Sequence, residues 1–379
     1  MQTSTLMLLI CAVLGGCSGG SGTGGSGSNQ APPPPAAALT DIPALMEYYH
    51  VPGVSIAIIK DSKIEQLLVY GVRNQDSREP VTASTRFQAG SISKAVAAVT
   101  ALKFVQDGRI GLDENINDVL TSWKLPSNSF TAVQNVTLRM LLNHTAGTTV
   151  HGFDGYKSTD QLPSLIQVLN GSPPANSAPI VVDKTPGQGF RYSGGGYIVM
   201  QQALIDLLGK PFATIAKETV LDPLAMTDST YEQPLPAAQL LSASSAHDLN
   251  GNVLPGGSHI YPELAAAGLW TTPKDLALFL IELQLSLQGS SNQLMSAALA
   301  AEMLSPPPGS TYGLGLDTIN AGGEEYFGHT GVNAGFQLAM LAHRSKGMGA
   351  VVMTNGDNGG PLIDKILVII EQTEHWPGF

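Results

Sequence analysis

Ser91-Ile92-Ser93-Lys94 sets a hydroxyl and an amine one helical turn apart, at the mouth of an apolar stretch over residues 92–105 (ISKAVAAVTALKFV). Residues at i and i+3 share a helix face, so the two side chains can meet. An ammonium inside such a stretch is costly unless it is partnered or neutral, and a neutral amine beside a serine can take its proton and leave a nucleophile. The free N–H groups of a helix start also point toward developing negative charge. Taken alone, the spacing equally describes a serine cap followed by a solvated lysine. Two further groups could complete the chemistry. Tyr192-Ser193-Gly194 lies in a Gly-rich stretch (YSGGGY) that opens a helix, and a phenol between a lysine and a serine can relay a proton. A lone tyrosine, however, is more often a packed ring with one hydrogen bond. His329-Thr330-Gly331 sits at the end of a predicted strand, where glycine allows a backbone to approach a ligand closely.

The surrounding patterns indicate how these groups are held. Residues 54–59 and 64–70 are β-branched runs joined through Lys60-Asp61-Ser62-Lys63, a hairpin signal. Residues 92–105 read as a helix buried on all sides, ended by Gly108. Further helical patterns fall at 40–49, 138–143, 162–169, 195–208, 212–219 and 274–287. Strand character returns at 312–316, 325–329, 335–343 and 349–354, before an amphipathic helix at 362–372. Strands at both ends and helices between them predict an α+β fold. One antiparallel sheet is built from the N- and C-terminal ends (39–85 and 263–379) and flanked by helices, with a mainly helical subdomain inserted at 86–262. The seam between the two is where a site is expected.

Composition removes whole classes of function. With 19 Lys+Arg against 30 Asp+Glu and a net charge of −11, nucleic acid is a poor partner. Hydrophobic residues at 43% and charged residues at 13% describe a large core rather than a disordered chain. Both cysteines, Cys11 and Cys17, precede residue 18, so the globular part has no disulfide, thiolate metal site or cysteine nucleophile. The eight histidines show no H-E-x-x-H spacing, and Asp248-Leu249-Asn250-Gly251-Asn252 begins like a calcium loop but has His259 where the closing Glu belongs; it reads as a turn. No metal or cofactor is expected. The leader, residues 1–17, carries an apolar run (LMLLICAVL) of export-signal length ending in Leu14-Gly15-Gly16-Cys17. Residues 18–38 are a Gly/Ser/Pro-rich linker.

S-x-x-K, then Y-S-x, then H-T-G, in this order and with these separations, resembles the penicillin-recognising serine hydrolases: class C β-lactamases, D-alanyl-D-alanine carboxypeptidases and family VIII carboxylesterases. The stretches FVQDGRIGLD (104–113), LLNHTAG (141–147) and GLWTTPKDL (268–276) look familiar in the same way, and the likeness runs from about Leu39 to the C-terminus. It implies the β-lactamase/transpeptidase-like fold. Ser91 would be the acylated nucleophile, and Lys94 and Tyr192 the proton-transfer pair, with the base left open between them. The backbone N–H groups of Ser91 and Val332 would form the oxyanion hole, and His329, Thr330 and Gly331 would line the substrate strand. His144 would be structural, while Tyr156 and Trp270 are either pocket walls or core. Two departures count. Gly194 stands where many β-lactamases and carboxypeptidases carry Asn, so an amide that would bind the substrate's acylamino group is missing. His329 replaces the lysine typical of class C enzymes and is a weaker anchor for a carboxylate.

The expected activity is hydrolysis of a small ester or amide, with carboxylesterase ahead. A D-alanyl peptidase or β-lactamase is the alternative, and a non-catalytic sensor or structural envelope lipoprotein the reading from another class. The Cys17 motif resembles a bacterial lipobox, which implies an exported protein in the periplasm or cell envelope, held at the membrane by a lipid on Cys17. No obligate protein partner is evident.

Overall fold

The computed structural model describes residues 38–379. The leader, Cys17 and all of the linker but Ala38 lie outside the described residues.

The core element is a six-stranded sheet of order β2-β1-β8-β7-β6-β5, antiparallel throughout. β1 (Gly53–Lys60) and β2 (Lys63–Gly71) come from the N-terminal end. β5 (Asp317–Ala321), β6 (Glu324–Asn333), β7 (Phe336–His343) and β8 (Gly349–Thr354) come from the C-terminal end. Asp61 and Ser62 close the first hairpin with φ of 51° and 55°, the double left-handed turn whose twist matches the strands it joins. The pleat explains the unbroken apolar runs in the central strands. Val54, Ile56, Ala350 and Val352 face one side, while Ala57, Ile59, Val351 and Met353 face the other. The first side is covered by α1 (Ile42–Tyr49) and α6 (Gly359–Thr373), the second by α5 (Pro273–Leu287). β2, at the edge, is covered on one face only and alternates exposed with half-buried.

α2 (Ser93–Gln106) runs through the helical part, with every residue from Ser93 to Leu102 buried. Its alanines, Ala95, Ala97, Ala98 and Ala101, leave room for α3 (Gly194–Leu208) and α4 (Leu264–Ala267) to pack close. A two-stranded pairing of β3 (Phe87–Gln88) with β4 (Trp270–Thr271) fastens the entry to α2 onto the segment that leads into α5.

Two local expectations are corrected. Residues 312–316 are not a strand: Gly315 takes φ +99°, Tyr312 bridges back to Asp317, and the strand starts only there. The strand carrying His329 does not end at that residue but continues four residues to Asn333, because Val332 and Asn333 still pair with Gln337 and Phe336. Tyr156 and Trp270 are both core.

Candidate active site

Ser91 occupies a single tight turn, Gly90–Ile92, immediately before α2 rather than in the helix itself. Hydrogen bonds to Leu269 hold that turn at both of its ends. The Ala89 N–H donates to the Leu269 carbonyl (2.8 Å), and the Leu269 N–H donates to Ser93 Oγ (3.0 Å). The Asn333 side-chain amide donates to Gln88 Oε1 (2.9 Å) and to the Ala267 carbonyl (3.1 Å), which draws the end of β6 onto the same knot. Contact there is backbone on backbone. A Cβ on Gly331 would stand 2.0 Å from the Ala89 carbonyl oxygen, and one on Gly90, whose φ is +51°, would stand 2.5 Å from the Val332 nitrogen. Only glycine fits at either place. The turn bearing Ser91 and the Val332 backbone nitrogen are therefore neighbours.

Lys94 Nζ donates to Ser91 Oγ at 3.0 Å and to the Ala266 carbonyl of α4 at 2.7 Å. The side chain is 2% exposed, and the rings of Tyr192 and Tyr197 lie 5.0 and 5.8 Å from Nζ. Burial lowers its ammonium to about 7. Near neutral pH a large share of the amine is thus unprotonated and able to accept the serine proton across that 3.0 Å contact.

Tyr192 ends the segment before α3, whose first turn is capped by Ser193: Oγ accepts from the Gly196 N–H (3.1 Å) and donates to the Thr149 carbonyl (2.7 Å). Beneath Tyr192 lies His144, ring centroids 4.2 Å apart, whose Nδ1 accepts the Ser193 N–H at 3.1 Å. The Tyr192 hydroxyl is enclosed and makes no hydrogen bond among the described residues. Burial raises its pKa well above the ordinary phenol range, and the nearby Ser91 hydroxyl opposes that rise. Asp317 raises it further and is itself pushed up to about 6 by burial.

His329 is 3% exposed. Its Nδ1 meets the Thr330 carbonyl, which makes that nitrogen the protonated one, so Nε2 accepts from Tyr312 Oη at 2.9 Å. Burial, with help from Lys94, lowers the imidazole to about 3. It is a neutral group, unable to supply the charge that a lysine would give a substrate carboxylate. By the pleat, His329 and Gly331 face Ser91 while Thr330 and Val332 face away. Thr330 borders a small recess shared with Ile363 and Asp364. The structure thus gathers Ser91, Lys94, Tyr192, His329, Gly331 and the Val332 backbone, and leaves the Thr330 side chain outside. Missed by the sequence reading were Ala266, whose carbonyl has no side-chain signature, and Tyr312, hidden in a segment read as strand. Among the described residues no group of three or more His, Cys, Asp or Glu stands together as a metal site would require.

The model of the Beta-lactamase family matches residues 40–373. The chain belongs to that family. It is 25% identical over 318 residues to Protein flp of Staphylococcus aureus (strain NCTC 8325 / PS 47), an alignment that covers 81% of this chain but only 60% of that protein. To a Beta-lactamase of Pseudomonas fluorescens it is 23% identical over 359 residues, 83% of this chain and 91% of the relative. Among solved structures, the octameric penicillin-binding protein homologue from Pyrococcus abyssi superposes with a TM-score of 0.72 at 23% identity, covering 88% of this chain and 76% of that one. The D-amino acid amidase from Ochrobactrum anthropi SV3 gives 0.69 at 23% identity, covering 88% and 98%. These superpositions speak for the fold, a β-lactamase/transpeptidase-like arrangement of helices on an antiparallel sheet. Membership of the β-lactamase family places the chain in the serine hydrolase superfamily.

Proposed function

We propose that this β-lactamase family member is a serine hydrolase that forms an acyl-enzyme at Ser91 and acts on small esters or amides, in the manner of a carboxylesterase. The observation that carries this reading is the 3.0 Å contact between a buried, carboxylate-free lysine and the Ser91 hydroxyl. Lys94, directly or through Tyr192, takes the serine proton as Oγ bonds to the substrate carbonyl carbon. The resulting oxyanion is met by the backbone N–H groups of Ser91 and Val332. Collapse breaks the bond to the alcohol or amine, which leaves with the proton, and water then cleaves the ester at Ser91 by the same steps reversed. The His329–Val332 backbone lines the substrate. Neutral His329 speaks against a substrate carboxylate, and the absence of an amide at Gly194 speaks against an acylamino group; both support a plain ester.

The test is the initial rate of p-nitrophenyl butyrate hydrolysis by residues 39–379, beside Ser91→Ala, with the acyl adduct located by mass spectrometry. Turnover that depends on Ser91 is expected; equal rates, or an adduct on another residue, would sink the reading. Amide cleavage is the second reading, favoured by the names of the Pseudomonas and Ochrobactrum relatives. D-Alanyl peptides and β-lactams in the same assay decide it. Binding of such compounds without product, unaffected by Lys94 replacement, would point to a sensor instead.

We also propose export and a lipid anchor at Cys17, on the strength of the apolar run that ends in Leu14-Gly15-Gly16-Cys17. Full-length protein in the membrane fraction that becomes soluble in Cys17→Ala supports it; unchanged fractionation overturns it.

A further inference from the structure

The loop at 150–153 lies along the first turn of α3. The Gly194 N–H donates to the His151 carbonyl at 2.9 Å and the Gly195 N–H to the Val150 carbonyl at 3.0 Å. The loop also borders the candidate site, since the His151 ring is 4.9 Å from that of Tyr192; burial, and after it the Lys94 charge, lowers the His151 imidazole. Where a Cβ on Gly194 would stand, the Phe153 ring is already present: Cε2 at 3.0 Å and Cδ2 at 3.4 Å, with the His151 carbonyl oxygen at 3.2 Å. Phe153 is half-buried and packed against the core, so the ring has little freedom to swing clear. Missing polarity at Gly194 is therefore replaced by an apolar surface, and the neighbourhood continues it. Phe190, 45% exposed, lies 5.8 Å from the His144 ring.

We infer that Phe153 is a specificity-determining residue: with Gly194 it closes the site to a polar acylamino substituent beside the scissile carbonyl and selects acyl groups that carry a plain alkyl chain there. The inference rests on the acyl-enzyme reading above and names its substrate class. A packed ring in that position offers no donor or acceptor, so an acylamino group placed against it would lose its hydrogen bonds to water without replacement. An alkyl chain loses nothing and gains apolar contact.

The experiment compares kcat/KM for the p-nitrophenyl esters of butyric acid and of N-acetylglycine, which share a leaving group, in wild type, Phe153→Ala, Gly194→Asn and the double variant. The quantity read is the ratio of the two esters in each variant relative to wild type. Phe153→Ala is expected to move it toward the acylamino ester by about ten-fold. Gly194→Asn alone should slow both esters and lower the melting temperature, and adding Phe153→Ala should recover both losses and move the ratio further. Should Phe153→Ala unfold, Phe153→Leu at the same position gives a smaller shift of the same sign. A ratio unchanged within about two-fold in every variant, or a fully active Gly194→Asn, overturns the inference. Hydrolysis that survives Ser91→Ala overturns the acyl-enzyme reading instead, so the two failures are distinct.

Discussion

Two cations tie segments of the helical part together, and the protein treats them in opposite ways. Arg139, on the short helix Leu138–Leu142, is gripped by Asp113 through two bonds of 2.7 Å and by Glu302 through one of 2.6 Å. Those bonds raise its pKa, so it is charged at every relevant pH. Lys94 also joins distant segments, yet its acceptors are a hydroxyl and a backbone carbonyl, flanked by aromatic faces, and burial lowers it to about 7. A cation that holds structure is given carboxylates; one that must release a proton is denied them and desolvated. The difference lies in the acceptors, since each site spans segments far apart in the chain.

Lys94→Arg tests that contrast most severely, because it keeps the charge and removes the ability to be neutral. If Lys94 works by proton transfer, kcat/KM should fall on the order of 1,000-fold with the variant still folded. Retention of more than about a tenth of the activity would mean that charge, not basicity, is what the site needs.

The same lysine sets a pH dependence with a definite sign. The amine becomes competent as it loses its proton, so kcat/KM should rise through a midpoint of about 7. Stability follows the linkage. Between about 7 and the ordinary lysine value of 10.5 the unfolded chain binds more protons than the folded one, so this group raises stability with pH across that window. Below 7 the penalty for its buried charge is present in full. A flat profile from pH 6 to 8 would break the assignment.

Arg139→Met is the matching control. Its three charges are all partly exposed, so the loss should be about 1 kcal/mol of stability, read by denaturant melts, with the midpoint of the activity profile unmoved. A shifted midpoint would show that the two cations are not independent.

Which parts were readable in advance follows the same division. Ser91 and Lys94 announce themselves because i,i+3 spacing is local and a lysine in an apolar helix is conspicuous. The sheet built from both chain ends was legible from the β-branched runs, and the pleat shows why β1 and β8 are apolar at almost every position. What stayed hidden depends on residues distant in sequence that meet in space. Ala266 enters through its carbonyl and Phe153 by filling the space beside Gly194, and neither has a pattern that points to its partner; His144 was read as structural, but its place under the Tyr192 ring was not legible. Tyr312 was misplaced because Gly313 and Gly315 follow it on either side of Leu314, and Gly315, with φ +99°, turns a run that hydropathy alone reads as strand.

Glu263 supplies the finest test. It precedes α4 and is fully buried; its carboxylate oxygens make no close hydrogen bond among the described residues, and the nearby Tyr156 hydroxyl only partly opposes the effect of burial. Burial pushes it up to about 7, the value that burial also gives Lys94 from the other direction. For an acid the sign is reversed: between the ordinary 4.5 and about 7 the folded state binds more protons, so this group lowers stability as pH rises through that window. Glu263→Gln removes the ionisation at nearly constant shape. Melting temperatures should be close to wild type near pH 4.5, higher than wild type by a growing margin up to pH 7, and level above it. A margin that stays flat would mean that the carboxylate is charged and satisfied in the folded protein. The activity profile of this variant then separates the two groups that share a midpoint. With Glu263 gone, a rise still centred near 7 belongs to Lys94, whereas a profile that loses its midpoint assigns the titration to the carboxylate next to α4, and the contrast between the two cations would no longer explain the pH dependence.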